Sequence, residues 1–226
     1  MGKLLIGTFV IVFFFISSVA AQGHISVVEL PVKEVPHPRI PDTAVQNWNR
    51  AQPGFSRLSK EAQEMLYYTN LARSRPRYFW DSVMTPLLGT FLPLNTPEAK
   101  SLRTELSTAP ALPMFRLNTV LTGTAQAHSD DIARKKSPIS HTSTDGTAFG
   151  ARMKRAGIRF CASENISLSS QGVIIAVALL YLDINVPDLG HRKALMNPSL
   201  LEIGIGAAQY GKDQVFLVQD FSCAQQ

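Results

Sequence analysis

Three stretches of the chain repeat their apolar positions with a helical period. From Ser59 to Ala72, residues Ala62, Met65, Leu66, Thr69 and Ala72 fall at i, i+3, i+4, i+7 and i+10, on one stripe. Ser59 can cap the start of this helix, Glu61 and Glu64 suit its positive end, Arg73 and Arg75 suit the negative end, and Pro76 stops it. A second helix is predicted over 117–135, with Leu117, Val120, Leu121, Thr124, His128 and Asp131 or Ile132 on its inner face. A third, over 170–182, is apolar almost all round from Val173 to Leu180, so other elements must cover it completely. The period then changes. Ile203 to Ala207 and Val215 to Val218 are short β-like runs around Tyr210-Gly211-Lys212-Asp213, a hairpin signal. Helices early, strands late and a covered helix between them predict an α+β fold, with helices layered on an antiparallel sheet.

The stretches before Ser59 read differently. Lys3 precedes a mostly apolar run from Leu4 to Ile16, and small residues follow in Ser17-Ser18-Val19-Ala20-Ala21. That order is the order of a secretory signal, cleaved after Ala20 or Ala21. The competing reading is an uncleaved anchor, because Leu4 to Ala21 reaches the short edge of a spanning helix; the small residues at its end favour cleavage. The expectation is a signal at 1–21, no lasting membrane insertion, and an extracellular or periplasmic mature chain. Between Gln22 and Phe55 come Pro31, Pro36, Pro38, Pro41 and Pro53 with little periodicity. Proline fixes φ and removes a donor, so 22–57 reads as an extended leader outside the core, and the folded domain as 58–226.

Composition and charge narrow the function classes. With 14 Gly and 14 Pro in 226 residues and 45% hydrophobic residues, the chain is neither collagen-like nor disordered. The balance of 22 basic against 17 acidic residues gives a net charge of +5, but the basic residues are scattered. The densest group, Arg134-Lys135-Lys136, fits a helix C-terminus, so no nucleic-acid partner is expected. Two cysteines remain, Cys161 and Cys223. In an oxidising compartment such a pair is more often a bridge than two free thiols, and a bridge is expected here; two buried thiols that never meet are the alternative.

The residues able to do chemistry lie in or beside the segments that join the periodic elements, where sites usually sit. They are His141 in Ser140-His141-Thr142, Glu164 in Ser163-Glu164-Asn165, Asp183 at the end of the covered helix, and His191 in Gly190-His191-Arg192. Two imidazoles and carboxylates can hold a divalent metal or act as an acid/base group without one. No HExxH, CxxC, G-x-S-x-G or P-loop spacing is present. Plainer roles stand beside these: turn histidines that satisfy backbone groups, Glu164 capping a helix or pairing with Arg159, His128 as a hydrogen-bonded core histidine, and Arg152 and Arg155 on a solvated helix face.

An ordered series of segments then resembles a known family. Glu64-Met65-Leu66 and Asn70-Leu71-Ala72-Arg73 before Pro76, AQAHSDDIA at 125–133, SHTSTDG at 140–146, SENIS at 163–167, GHRKALMNP at 190–198, IGIGAA at 203–208 and VFLVQDF at 215–221 follow the order of the CAP superfamily. That superfamily comprises the cysteine-rich secretory, antigen 5 and pathogenesis-related proteins, and the chain looks most like its short bacterial branch. The resemblance implies a three-layer α-β-α sandwich and a central cleft lined by two His and two acidic residues, which in some members hold a divalent metal. Carried over by motif, these are His141, Glu164 and His191, with Ser163 where the family usually has Gly. The family's Trp-x-x-Glu is here Leu180-Tyr181-Leu182-Asp183, so a shorter Asp183 stands in for Glu. The metal, for example zinc, would be held by His141 and His191. The resemblance implies a secreted, non-enzymatic module binding a lipid-like molecule or an envelope or host protein. A metal-dependent hydrolase with Glu164 as general base, and a cleft whose His and Glu only brace loops, are the alternatives.

Overall fold

The computed structural model describes residues 27–225. The expected export signal at 1–21 lies outside them. Among the described residues, no regular element occurs before Thr43, inside the stretch expected as a leader. There the expectation of a segment outside the core fails. Asp42 accepts the Val45 N–H at 3.0 Å and caps helix α1 (Thr43–Arg50), whose Val45 and Asn49 are buried. Pro41 and Pro53 lie outside α1, so they bound the helix without interrupting it.

Helix α2 (Lys60–Ser74) starts at the Ser59 cap, and its predicted stripe is buried. Pro76 ends α2 but also opens the next turn: α3 (Pro76–Phe79) runs through a π turn at 80–84 into α4 (Thr85–Thr90). Helix α5 (Pro97–Thr108) follows, capped by Thr96. Strand β1 is only Arg116–Leu117. It takes Leu117 out of the expected helix, because the Asn118 side chain accepts the Val120 and Leu121 N–H groups and starts α6 (Thr119–Lys135) there. Helix α7 (Phe149–Arg155) precedes β2 (Ala162–Ser169). The covered helix, α8 (Val173–Leu182), begins after Gly172 at φ 88°; of its residues only Leu179 is not buried. Helix α9 (Gly190–Leu195) and the hairpin of β3 (Glu202–Tyr210) and β4 (Gln214–Ser222) complete the chain.

The sheet order is β1-β3-β4-β2, antiparallel except for the two-residue parallel pair of β1 with β3. Alternation along the strands divides two cores. Ile203, Ile205, Leu217 and Phe221 face α2 and α8, whereas Phe216, Val218 and Ile166 face α6 with Ala125 and Ile132. This gives the expected three layers. On the α6 side the helix backbone rests on the strand: a Cβ at Gly204 would lie 2.0 Å from the Leu121 carbonyl carbon, and one at Gly206 would lie 2.3 Å from that of Ala125. Glycine is required at both positions by this close approach. Cys161 and Cys223 form the expected disulfide just outside β2 and β4, with Cα atoms 5.6 Å apart.

Candidate functional site

The cleft lies beside the edge strand β2, between the 137–148 loop and the 183–191 turn. His141 sits on the loop, and its position is fixed by three side chains from α6 and α7. From α6, Asp131 accepts the Thr144 N–H at 2.7 Å and the Thr144 hydroxyl at 2.6 Å. His128, buried as a core histidine, lies 2.9 Å from the Ser140 carbonyl through Nε2 and 3.2 Å from the Ser143 hydroxyl through Nδ1. A carbonyl can only accept, so Nε2 of His128 carries the proton and Nδ1 takes the hydroxyl. Burial holds this imidazole below its ordinary pKa, consistent with a neutral ring. From α7, Arg152 donates to the His141 carbonyl at 2.8 Å.

Glu164 is neither a helix cap nor a partner of Arg159. It points from β2 to the α6 side, its side chain 1% exposed. One oxygen accepts from His141 Nδ1 at 2.8 Å and the other is paired with Arg152. Burial alone would raise this carboxyl, but the His141 hydrogen bond and the Arg152 charge outweigh it and hold the group below its ordinary pKa. Arg152 is accordingly not on a solvated face: its side chain is 10% exposed. Sequence gave no sign of this pairing, because Arg152 reads as one of several basic residues on a short helix and meets Glu164 only when α7 packs on β2.

Asp183 takes the second acidic position despite its shorter side chain. One oxygen lies 2.5 Å from His191 Nδ1 and the other accepts the Arg192 N–H at 2.8 Å. The turn that joins Asp183 to His191 is built on left-handed residues: Asp183, Asn185 and Leu189 have φ of 54°, 60° and 51°. Each non-glycine residue held in the left-handed region costs roughly 1–2 kcal/mol, so the turn that returns Asp183 to His191 stores strain beside the cleft.

The structure thus brings the four residues together as two dyads, His141–Glu164 and His191–Asp183. In each, Nδ1 donates to a carboxylate oxygen, and in the neutral ring Nε2 then carries the lone pair. Neither Nε2 has a hydrogen-bond partner among the described residues. Both imidazoles line two adjoining hollows. One, of about 430 Å³, is walled by Ile139, Ile166, Leu168, Leu179 and Ile184. The other, of about 710 Å³, is walled by Phe149, Met153, Ile158 and Phe160, with Lys154 and Arg159 also lining it. Among the described residues, no three His, Cys, Asp or Glu side chains are placed to share one metal ion.

A sheet between helical layers is the fold that the sequence motifs implied. The family model for the cysteine-rich secretory protein (CAP) family matches residues 66–221, and the chain belongs to that family. Among solved structures, it is similar to an extracellular SCP-domain protein of Bacillus anthracis, at 22% identity over 73% of this chain and 40% of that one, with a TM-score of 0.47. The chain therefore spans well under half of that protein. An outer surface protein of Borrelia burgdorferi matches at 20% identity over 55% of this chain and 86% of that one, TM-score 0.43. Venom allergen-like protein 4 of Schistosoma mansoni matches at 12% identity over 75% and 92%, TM-score 0.44. A comparison with curated proteins finds no match. Among the described residues, no helix is long and apolar enough to cross a membrane.

Proposed function

We propose that this CAP-family chain is an exported, non-catalytic binding module whose cleft takes a small lipid-like molecule. The observation that carries the reading is the histidine pair set between two hollows, one of mixed polar and apolar lining and one mainly apolar, with both Nε2 atoms free of partners among the described residues. A polar head would meet His141 and His191, while the apolar part would lie along Ile166, Leu168 and Leu179. The signal-like residues at 1–21 support export.

The two imidazoles are the donors that a divalent metal such as zinc would use, with its remaining ligands supplied from outside the described residues. Each imidazole is buttressed at Nδ1 by a carboxylate, which is how protein ligands to zinc are usually oriented, and Nε2 is left to coordinate. His141 and His191 would hold the ion, and a metal bound there would supply a Lewis acid for a ligand's oxygen. Glu164 and Asp183 would orient the imidazoles without ligating. The hydrolase alternative is less well supported, because both oxygens of Glu164 are engaged and its pKa is pushed away from neutrality, where a general base works best.

The test is titration of a fluorescent long-chain fatty acid and a fluorescent sterol into the purified mature chain, with and without zinc. Saturable one-to-one binding that is lost in Leu168→Glu and weakened in His141→Ala/His191→Ala is expected. Folded protein that binds neither probe refutes the reading. Calorimetric titration of zinc into the same double variant separates the metal question from the lipid question.

A further inference from the structure

Directly beneath Glu164, on the next strand, lies a second carboxyl group that none of the family motifs marks as part of the cleft. Asp220 is the register partner of Glu164 across β2 and β4, so the two side chains leave the same face of the sheet as neighbours. On its other side, Asp220 faces Gly204, against which the backbone of α6 rests, and its side chain is sealed from water. Its Oδ2 accepts the Thr124 hydroxyl at 2.6 Å. Its Oδ1 is buried with no hydrogen-bond donor.

Two adjacent carboxyl groups in a dry site cannot both be ionised at tolerable cost; one keeps a proton. The surroundings decide which. Glu164 has the Arg152 guanidinium and the His141 Nδ1–H, both of which favour its anion. Asp220 has a hydroxyl from α6, where the nearby His128 is neutral, and feels the Arg152 charge only through space, with no ion pair of its own among the described residues. We propose that Asp220 is a neutral positioning acid of this site. It accepts from Thr124 through Oδ2 and donates its own proton from Oδ1 to Glu164, completing a line Thr124–Asp220–Glu164–His141 from the sheet interior to the cleft. Burial, followed by the charge of Glu164, pushes the Asp220 carboxyl well above the usual carboxylate range, in the same direction.

This line accounts for the orphaned Oδ1 and gives Glu164 a fixed orientation. It thereby holds His141 in the tautomer that presents Nε2 to the cleft. The assignment concerns the framework under the cleft and holds whatever the cleft binds.

Nuclear magnetic resonance of the full mature chain tests it. The Asp220 carboxyl carbon is expected to resonate as a protonated acid at pH 6, and the His141 ring nitrogens to report the Nδ1–H form. Asp220→Asn keeps both a donor and an acceptor, so it is expected to leave that tautomer unchanged. Asp220→Ala removes both, and an increased share of the Nε2–H form is expected. An Asp220 carboxylate signal at pH 6 overturns the proposal, as does an unchanged tautomer in Asp220→Ala. If Asp220→Ala does not fold, the carboxyl resonance of the wild type and the tautomer in Asp220→Asn decide it, with a shifted tautomer in Asp220→Asn overturning the proposal.

Discussion

Replacing Arg152 by Met should show how much of this fold depends on one buried ion pair. The side chains of Arg152 and Glu164 are 10% and 1% exposed, so the pair lies out of reach of solvent screening. Met retains much of the Arg stem's bulk but leaves the Glu164 anion without its cation, held only by the His141 hydrogen bond and the neutral Asp220 beside it. Removing one partner of a buried pair costs roughly 3–5 kcal/mol, because the other charge stays desolvated. The Arg152 bond to the His141 carbonyl is lost as well, so the 137–148 loop loosens with it. For a domain of this size the loss corresponds to a fall in Tm of about 6–20 °C. Urea unfolding followed by Trp48 and Trp80 fluorescence, with the disulfide intact, measures it. The deficit must depend on pH. In the wild type the Glu164 pKa is depressed, so its stabilisation is complete above the unfolded-state value and is lost as pH falls through the folded value. In the variant the carboxyl escapes by taking a proton, so the deficit is greatest near pH 7 and shrinks towards pH 4. Adding Glu164→Gln to Arg152→Met removes the stranded charge and should restore at least half of the loss. A deficit below about 1 kcal/mol at pH 7, or one that does not change between pH 7 and 4, would refute the argument, since a pair worth so little behaves as an exposed one.

Three further outcomes follow from the packing and the electrostatics. Gly204→Ala places a Cβ 2.0 Å from the α6 backbone, where ordinary contact begins near 3.4 Å, and should cost more than about 3 kcal/mol; Gly150→Ala in α7, with nothing within 4 Å, should be neutral or slightly stabilising in the same melts. For Asp131, burial is outweighed by the Thr144 and Lys135 contacts, which bring its pKa down to about 2. Asp131→Asn should therefore lose about 1–2 kcal/mol at pH 7, with the gap to wild type closing as pH falls from the unfolded value of 3.8 through 2, measured by melts across that range. The Cys161→Ser/Cys223→Ser variant opens a link between residues 62 apart and should lose about 4 kcal/mol in urea unfolding, an amount that reduction of the wild type should match.

The sequence alone placed α2, α6, α8 and the terminal hairpin, because each carries a run long enough for its period to register. It also carried the order of the family motifs and marked His141, Glu164, Asp183 and His191 as candidates, in SHTSTDG, SENIS, the end of the covered helix and GHRKALMNP. Shorter elements escaped for local reasons. Helix α1 was hidden among prolines that only bound it, and β2, the strand that carries Glu164, shows Ser-Glu-Asn-Ile-Ser in place of an apolar alternation because its polar side chains are satisfied inside the fold. Only the tertiary structure decided the pairings. Arg152 reads as a surface residue and Asp220 as part of a strand until packing sets one on each side of Glu164. Asp183 reads as a shortened glutamate until a turn of three left-handed residues carries it to His191. Periodicity reports which face of an element is buried, whereas the charge state and reach of a buried side chain depend on neighbours that packing alone supplies.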